Sequence, residues 1–554
     1  LADGAKNDDK TLEKAFLTEL EALEHFRISY TGLYRDVPLA REDPDVRRLI
    51  EALAFFSGRT RMAAERVAGE SLLRLFHQHF PYALSPMPAA TMLQAQPTAR
   101  FVDALELPRG MEIMVTHKAA QGQRPACRFR TMAPLRVLPI ALDSVRAQVT
   151  GGKLRRIVLQ FSSAHPRNDE IGTVSLNINH LSDLTASMAV YFALKSHVVR
   201  ASVAYEKATS SDVRGEGCEV SFGAVDAAPH EYEAFEHPVQ RFRSFLHFPQ
   251  GELYVHFKGL KPPRNWQHFA LCLDLDEGWP SELTLTEDSF ALNAVPMVGV
   301  KRDMANPIEC DGTKDRYLVR HPDSAARYVC HSILGVYLLT SKGMTPIEPG
   351  VLGPTKYGYE TLFDGKDDDR RGWVQLDLPG SFDTPQRVAV EAFWTQPDLR
   401  GVQPGELRAR LADRHAEGLS WSCSNVFVSS ASAELEDSRD DLLQMTALKS
   451  KRFLNCDELS FLVRVLGSLK RPEFARITLA MSQVELKSKP AGNKSSGVCH
   501  VYEITFDNLD NSDLPRLDLF CAKLLMLLRA WSIEQVVEVV ARVPRLGREL
   551  RFAE

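Results

Sequence analysis

Between Pro44 and Phe80 apolar residues recur at helical spacing. Winding the segment at about 100° per residue places Val46, Leu49, Ile50, Leu53, Phe56, Ala64 and Val67 along one side, the stripe a surface helix buries against its own core. Asp43 stands where it can cap the helix, Pro44 suits the first turn, and Pro81 ends the run. Gly58 and Gly69 each cost about 1 kcal/mol in a helix interior, which predicts a break near Gly69. Phe55 and Met62 fall on the opposite side, among Arg48, Glu51 and Arg66. Two readings fit them: that side meets a second partner, or Phe55 is one exposed aromatic on an ordinary surface. Upstream, Leu12, Phe16, Leu20, Leu23, Phe26 and Tyr30 recur at spacings of four and three, a heptad-like seam too short for a long coiled coil but suited to a bundle.

After Pro81 the pattern changes. Pro86, Pro88 and Pro97 punctuate the chain, and short extended segments follow: 105–115 around the turn at Pro108 to Gly110, 127–140, 153–162 and 173–178. A helix is expected over 181–196 with Ser182 as its cap, then strands over 243–248, 252–257 and 269–275 and a strand-rich region from 287 to 391. Residues 459–467 and 476–486 read as two more strands, and 487–497, rich in Lys, Ser and Gly, reads as a flexible run. Residues 514–530 are apolar on most sides and predict a buried helix, while Ser532 with Gln535 forms a capping box for a second helix to Arg542. The expected class is therefore α+β: a helical N-terminal bundle region over 1–82, a β-rich middle over 83–290 with one helix near 181–196, and a β-rich remainder over 291–554 ending in helices near 514–542.

Composition narrows the function more by exclusion than by indication. Lys and Arg total 67 against 72 Asp and Glu, a net charge of −5, so no overall field draws the chain to nucleic acid or anionic lipid. No apolar run reaches the ~20 residues that cross a bilayer, and the first residues lack a signal peptide's apolar stretch, so a cytoplasmic protein is expected. The nine cysteines are scattered without a C-x-x-C pair, which fits reduced thiols; Cys330 beside His331 is the nearest approach to a ligand pair, and adjacent strand residues rarely chelate one ion. His77 and His79 fall on different helix faces, the acidic loop 364–371 does not match a calcium loop, and no phosphate loop, nucleophile elbow or H-E-x-x-H is present. Arg542, Arg545, Arg548 and Arg551 recur every three residues, a solvated basic tail or a contact for an acidic surface. A non-enzymatic assembly protein without cofactor is the leading class.

Several stretches resemble the TssF family, also called VasA or ImpG, of the type VI secretion baseplate. EDPDVRRLIEALAFFSGRTR (42–61) and HFPYALSPMPA (79–89) resemble the family's helix and its exit into prolines. LELPRGMEI, FRTMAPLRVLP and FLHFPQGELYVHFKGL (245–260) follow in family order, and FALNAVPMVGVKRDMANPIECDGTKDRYLV (290–319) follows its Asn-Cys-x-Pro pattern with a later Pro-Ile, Asp and Tyr. Ala294 stands where the family often has Cys, and FWTQPDLRG (393–401) and the final WSIEQVVE depart further. The resemblance implies a structural subunit related in architecture to the wedge proteins of contractile phage tails. It further implies two TssF copies joined to one TssG through a helical bundle, binding to TssK, and six wedges around the VgrG spike beneath the sheath and its initiator TssE. Such a subunit is cytoplasmic, docks at the inner membrane through the secretion membrane complex, and neither binds nucleic acid nor enters the membrane. The expected partner-binding residues are Leu12, Phe16, Leu23, Phe26, Phe55 and Met62. Two other readings stay open: a baseplate protein of another contractile injection system, and a multi-domain β-rich carbohydrate-binding protein or enzyme.

Overall fold

The computed structural model describes residues 2–33, 44–80, 83–117, 126–150, 153–205, 215–225, 237–350, 358–365, 369–396, 407–413, 416–433, 435, 438–490, 498–532 and 536–553. Asp43, Pro81 and Gln535, given roles above, lie outside them. The chain divides into two compact units, Leu1–Phe80 and Pro81–Glu554.

The first unit is two packed helices, α1 (Ala2–Leu33) and α2 (Pro44–His79). The expected break near Gly69 does not occur; α2 runs through both glycines, because a cost of about 1 kcal/mol per glycine is small beside a continuous backbone ladder over 36 residues. Gly58 lies at a close approach of the two helices: a Cβ there would stand 3.3 Å from the Phe16 backbone nitrogen.

At the centre of the second unit is a closed six-stranded barrel whose strands run, in order around it, Ala90–Pro97, Ala294–Val298, Cys127–Thr131, Glu112–His117, Leu407–Leu411 and Leu419–Val428. Alternate residues point inward, so Leu93, Ile113, Val115, Phe129, Val295 and Met297 fill it. The expected boundary at residue 290 is corrected here, since strands from both sides of it close one barrel. An eight-stranded antiparallel sheet, built from segments between Ala141 and Leu292, and a second sheet over 301–395 are inserted in sequence between barrel strands. Asn293 turns the chain from the last strand of the first sheet into the barrel. It adopts φ 53°, and its side chain accepts from Leu138 N at 3.2 Å and donates to Leu138 O at 3.3 Å. Asn tolerates this left-handed conformation better than other residues with a Cβ, which gives the Asn of the 290–319 pattern a physical role.

Several expected strands are helices. Residues 243–247 of the expected strand 243–248 belong to α4 (Pro238–His247), which starts on Pro238, and the expected helix at 181–196 is α3 (Leu184–His197), capped by Asp183, which accepts from Ala186 N at 2.7 Å, not by Ser182. After α5 (Arg439–Leu448), residues 459–465 of the expected strand 459–467 fall in α6 (Cys456–Val465), opened by a capping box in which Asn455 Oδ1 accepts from Glu458 N and Glu458 Oε2 from Asn455 N. Residues 476–486 straddle α7 (Pro472–Ala480) and the strand Met481–Pro490. The apolar runs are right, but a short apolar run does not distinguish strand from buried helix.

The opposite error occurs at the end. α8 (Leu514–Trp531) is buried as expected, but the second helix is a strand, Val536–Val543, parallel to Val498–Phe506. Val537, Val539, Ala541 and Val543 are wholly buried at alternate positions, so β-branched residues at period two outweigh the capping signal, and the Ser532 hydroxyl donates instead to Arg452 O at 3.2 Å. Arg542 sits in that strand and Arg548 and Arg551 in the antiparallel Arg548–Phe552, so the four arginines form no single face.

Candidate assembly surface

Small residues and the Glu19–Arg61 ion pair contribute to the contact between α1 and α2, beside partly buried apolar side chains. Ala54 and Gly58 are buried, and Glu19 of α1 accepts from Ser57 Oγ at 3.0 Å and from Arg61 Nη1 at 3.1 Å. Those bonds, Arg61 first and then Ser57, hold the Glu19 carboxyl below its ordinary range. Leu12, Phe16, Leu20, Leu23 and Tyr30 of α1 are half-buried, as is Met62 of α2. Phe26 remains 65% exposed and Phe55 39%. The seam found in the sequence is thus covered in part within the hairpin, and its members do not form one open face.

Most of the stripe assigned to the chain's own core is open, with only Val46 and Ile50 half-buried. Leu49, Leu53, Phe56 and Val67 are 63%, 55%, 65% and 59% exposed, and Ala64 is exposed as well. This overturns the expectation that Leu53 is a core residue. The helical moment correctly finds the apolar side of α2, but a moment states only that a face is to be covered, not by which chain. Close approach of α1 selects the side with Ala54 and Gly58, where little side chain separates the backbones, and the large residues are left outward. On a described surface that places four large apolar side chains along one stripe, solvent is a poor final partner.

At the start of the second unit the chain is held by an arrangement the sequence did not reveal. Pro86 and Pro88 lack N–H groups, so the segment from Leu84 to Pro88 cannot be carried by an ordinary ladder. Its carbonyls are instead met by side chains from distant elements: Leu84 O by Arg370 Nη2 at 3.2 Å, Ser85 O by Arg243 Nη2 at 2.8 Å, Pro86 O by His331 Nε2 at 2.8 Å and Pro88 O by His247 Nε2 at 2.9 Å. Met87 alone pairs with backbone, exchanging two bonds with Ala431 at 2.7 and 2.9 Å. A carbonyl only accepts, so both histidines carry their proton on Nε2 and His331 Nδ1 accepts from Ser332 Oγ at 3.0 Å. Burial pushes both imidazoles down to about 3, His247 being lowered further by Arg471 and other cations and His331 by Arg370 and Arg243. His331 is thus a carbonyl anchor, not half of a metal pair. The Cys330 thiol, pushed up to about 12 by burial, packs in the core of the 301–395 sheet. The only hint in the sequence was two prolines in a segment that had to be buried.

Among the described residues no group of three His, Cys, Asp or Glu could hold a metal ion, and no helix is long and apolar enough to cross a membrane. The family described as Type VI secretion system, TssF, matches residues 33–350, more than half of the chain and including the stripe, the clamped segment from Leu84 to Pro88 and the Asn293 corner. The chain belongs to the TssF family. As a TssF-family chain it also shares its fold with two solved structures. One, titled as a TssK-TssF-TssG baseplate subcomplex of the type VI secretion system seen by cryo-electron microscopy, aligns with TM-score 0.76 and 17% identity over 92% of this chain and 98% of that one. The other, titled as the baseplate complex from the type VI secretion system, aligns with TM-score 0.60 and 15% identity over 98% of each. No curated protein matches the sequence. Ala294, where the resemblance leads one to expect Cys, is buried and its carbonyl accepts from the Tyr254 hydroxyl at 3.0 Å, a backbone role that does not depend on the side chain.

Proposed function

We propose that this chain is a structural subunit of the type VI secretion baseplate, filling the TssF position of a wedge with TssG and TssK. The observation that carries this reading is the open stripe Leu49, Leu53, Phe56 and Val67 on α2. Fully burying one such side chain is worth about 1.5–3 kcal/mol, so helices from a TssG-like subunit and a second copy of this chain gain several kcal/mol by closing over it. The likeness of the fold to a chain of a TssK-TssF-TssG subcomplex supports the same partners. Phe26 and Phe55 extend the contact, while Leu12, Phe16, Leu23 and Met62 serve it from within by holding α1 to α2.

The rest of the assignment follows the family: two copies to one TssG, wedges gathered around the VgrG spike below the sheath and TssE, and a position on the cytoplasmic side of the inner membrane reached through the secretion membrane complex. The work is scaffolding and requires no cofactor or catalysis. Co-expression with a TssG-like subunit tests it. A stable complex at two to one is expected; a monodisperse full chain that captures neither a TssG-like nor a TssK-like subunit would overturn the assignment.

A further inference from the structure

The last sheet of the larger unit has its strands in the order Met481–Pro490, Val498–Phe506, Val536–Val543 and Arg548–Phe552, so Met481–Pro490 lies at an edge. Its inner side pairs antiparallel with Val498–Phe506; among the described residues no strand pairs with its outer side. Residues 482–490 are exposed except for Val484, which is half-buried. A row of backbone donors and acceptors is therefore open along this edge, of the kind that proteins ordinarily guard with lysine, other charges or proline. Side chains alternate along it. Val484 and Leu486 stand beside Ile504 and Tyr502, which are wholly buried, whereas Gln483, Glu485, Lys487 and Lys489 share the opposite face. On that face Lys487 Nζ donates to Glu503 at 2.7 Å and lies 3.8 Å from Glu485, and Lys489 Nζ donates to Glu538 at 2.5 Å. Leu486, at the midpoint of 482–490, is 39% exposed.

We propose that this edge pairs with the same edge of a second copy of the chain, antiparallel across a two-fold axis at Leu486. Such an axis must fall on a residue and not between two, since a slip of one residue turns every side chain to the other face. Placed on Leu486, it sets Glu485 against Lys487 of the partner subunit, twice by symmetry, and Gln483 against Lys489 of the partner subunit, while the two Leu486 side chains meet on the other face. An axis on Glu485 or on Lys487 would set that residue against itself, and one on Ser488 would set Lys487 against a lysine. One on Val484 would shorten the overlap and leave both lysines without an acid opposite. The charges that guard this edge against other strands thus admit one register with its own copy. The contact is separate from the α2 stripe and does not rest on the function proposed for it.

The test is sedimentation velocity of the full chain over a range of concentrations. One strand pair is smaller than a standard stable interface, so a dimer with a Kd on the order of tens of micromolar is expected. Glu485→Lys places a lysine opposite Glu503 within the chain, so the unfolding midpoint should not fall; across the axis it sets lysine against lysine and should weaken the dimer at least about tenfold. Glu485→Lys combined with Lys487→Glu reverses both charges and should restore it. Leu53→Asp should leave the dimer intact, which separates it from association through the stripe. Leu486→Cys would bring its Cβ within about 4.5–5.5 Å of its equivalent, close to disulfide reach, and should cross-link on mild oxidation much faster than Ser488→Cys. The proposal is overturned by a parent chain that stays monomeric at about ten times the expected Kd. It is equally overturned by a Glu485→Lys chain that dimerises as the parent does, by a double reversal that stays monomeric, by a dimer that Leu53→Asp abolishes, or by equal cross-linking through the two cysteine variants.

Discussion

Gly58 of α2 stands against Phe16 of α1 so closely that a methyl group on its Cα would lie 3.3 Å from the Phe16 backbone nitrogen. The neighbouring atoms are backbone and cannot turn aside as a side chain does. Alanine gains about 1 kcal/mol of helix propensity, which offsets the crowding, so Gly58→Ala should be near neutral. Gly58→Leu has no such escape and should destabilise the hairpin by about 1–3 kcal/mol. Hydrogen exchange within α1 and α2 measures this; equal protection in the leucine variant and the parent would show that the helices do not touch at this point.

The open stripe makes a different forecast for Leu53. Because its side chain is more than half exposed, Leu53→Ala should change the stability of the isolated chain by no more than about 0.5 kcal/mol. Leu53→Asp and Phe56→Asp should fold equally well but lose capture of a TssG-like subunit, each placing a charge in an apolar contact at a cost of several kcal/mol. Pull-down beside thermal unfolding separates the effects. Retained capture by both aspartate variants would mean that the stripe faces solvent in the assembly.

Acid should loosen the start of the larger unit. The folded pKa of His331 is about 3 against 6.5 for a free imidazole, so between those values the unfolded chain binds the additional proton. Stability from His331 is therefore complete above pH 6.5 and is lost as pH falls toward 3, on the order of a few kcal/mol, with His247 acting in the same sense. His331→Asn removes one of the two titrating groups and should make the fall of the unfolding midpoint between pH 6.5 and 4 shallower, the remainder coming from His247. An acid limb as steep as the parent's would place the titration elsewhere.

At the Asn293 corner the two substitutions should differ in order. Asn293→Ala keeps a Cβ at φ 53° and leaves Leu138 N–H without its acceptor, for a loss of about 2–4 kcal/mol. Asn293→Gly relieves the backbone but not the lost bonds, and should be milder by about 1 kcal/mol. Chemical denaturation gives the ranking, and a glycine variant no more stable than the alanine one would show that φ is not the constraint.

How far the sequence could be read depended on what each signal encodes. Family motifs and helical periodicity located α1, α2 and α8, because long amphipathic or wholly apolar helices repeat their pattern several times. Short elements such as 243–248 and 459–467 offered one apolar run each, too little to tell α from β, although the Asn455 and Glu458 box was present to be seen. Leu53 was found on the correct face and given the wrong partner, since periodicity carries no information about chain identity. The clamp on Leu84 to Pro88 was illegible because Arg243, His247, His331 and Arg370 are brought together only by the tertiary fold.

Thr91 donates to Val426 O at 2.7 Å across 335 residues of chain, and the barrel seam it belongs to sets a schedule for synthesis. At about 5–20 residues per second, roughly 20–70 s pass between the emergence of the first barrel strand and that of the last. Through that interval α1 and α2 are already out, with local contacts sufficient to form a hairpin and an apolar stripe that nothing in the nascent chain is yet able to shield. Under the proposed function, the first unit is therefore available to a partner helix before the second unit is complete, and the order of translation favours contacts of the hairpin over contacts of the barrel.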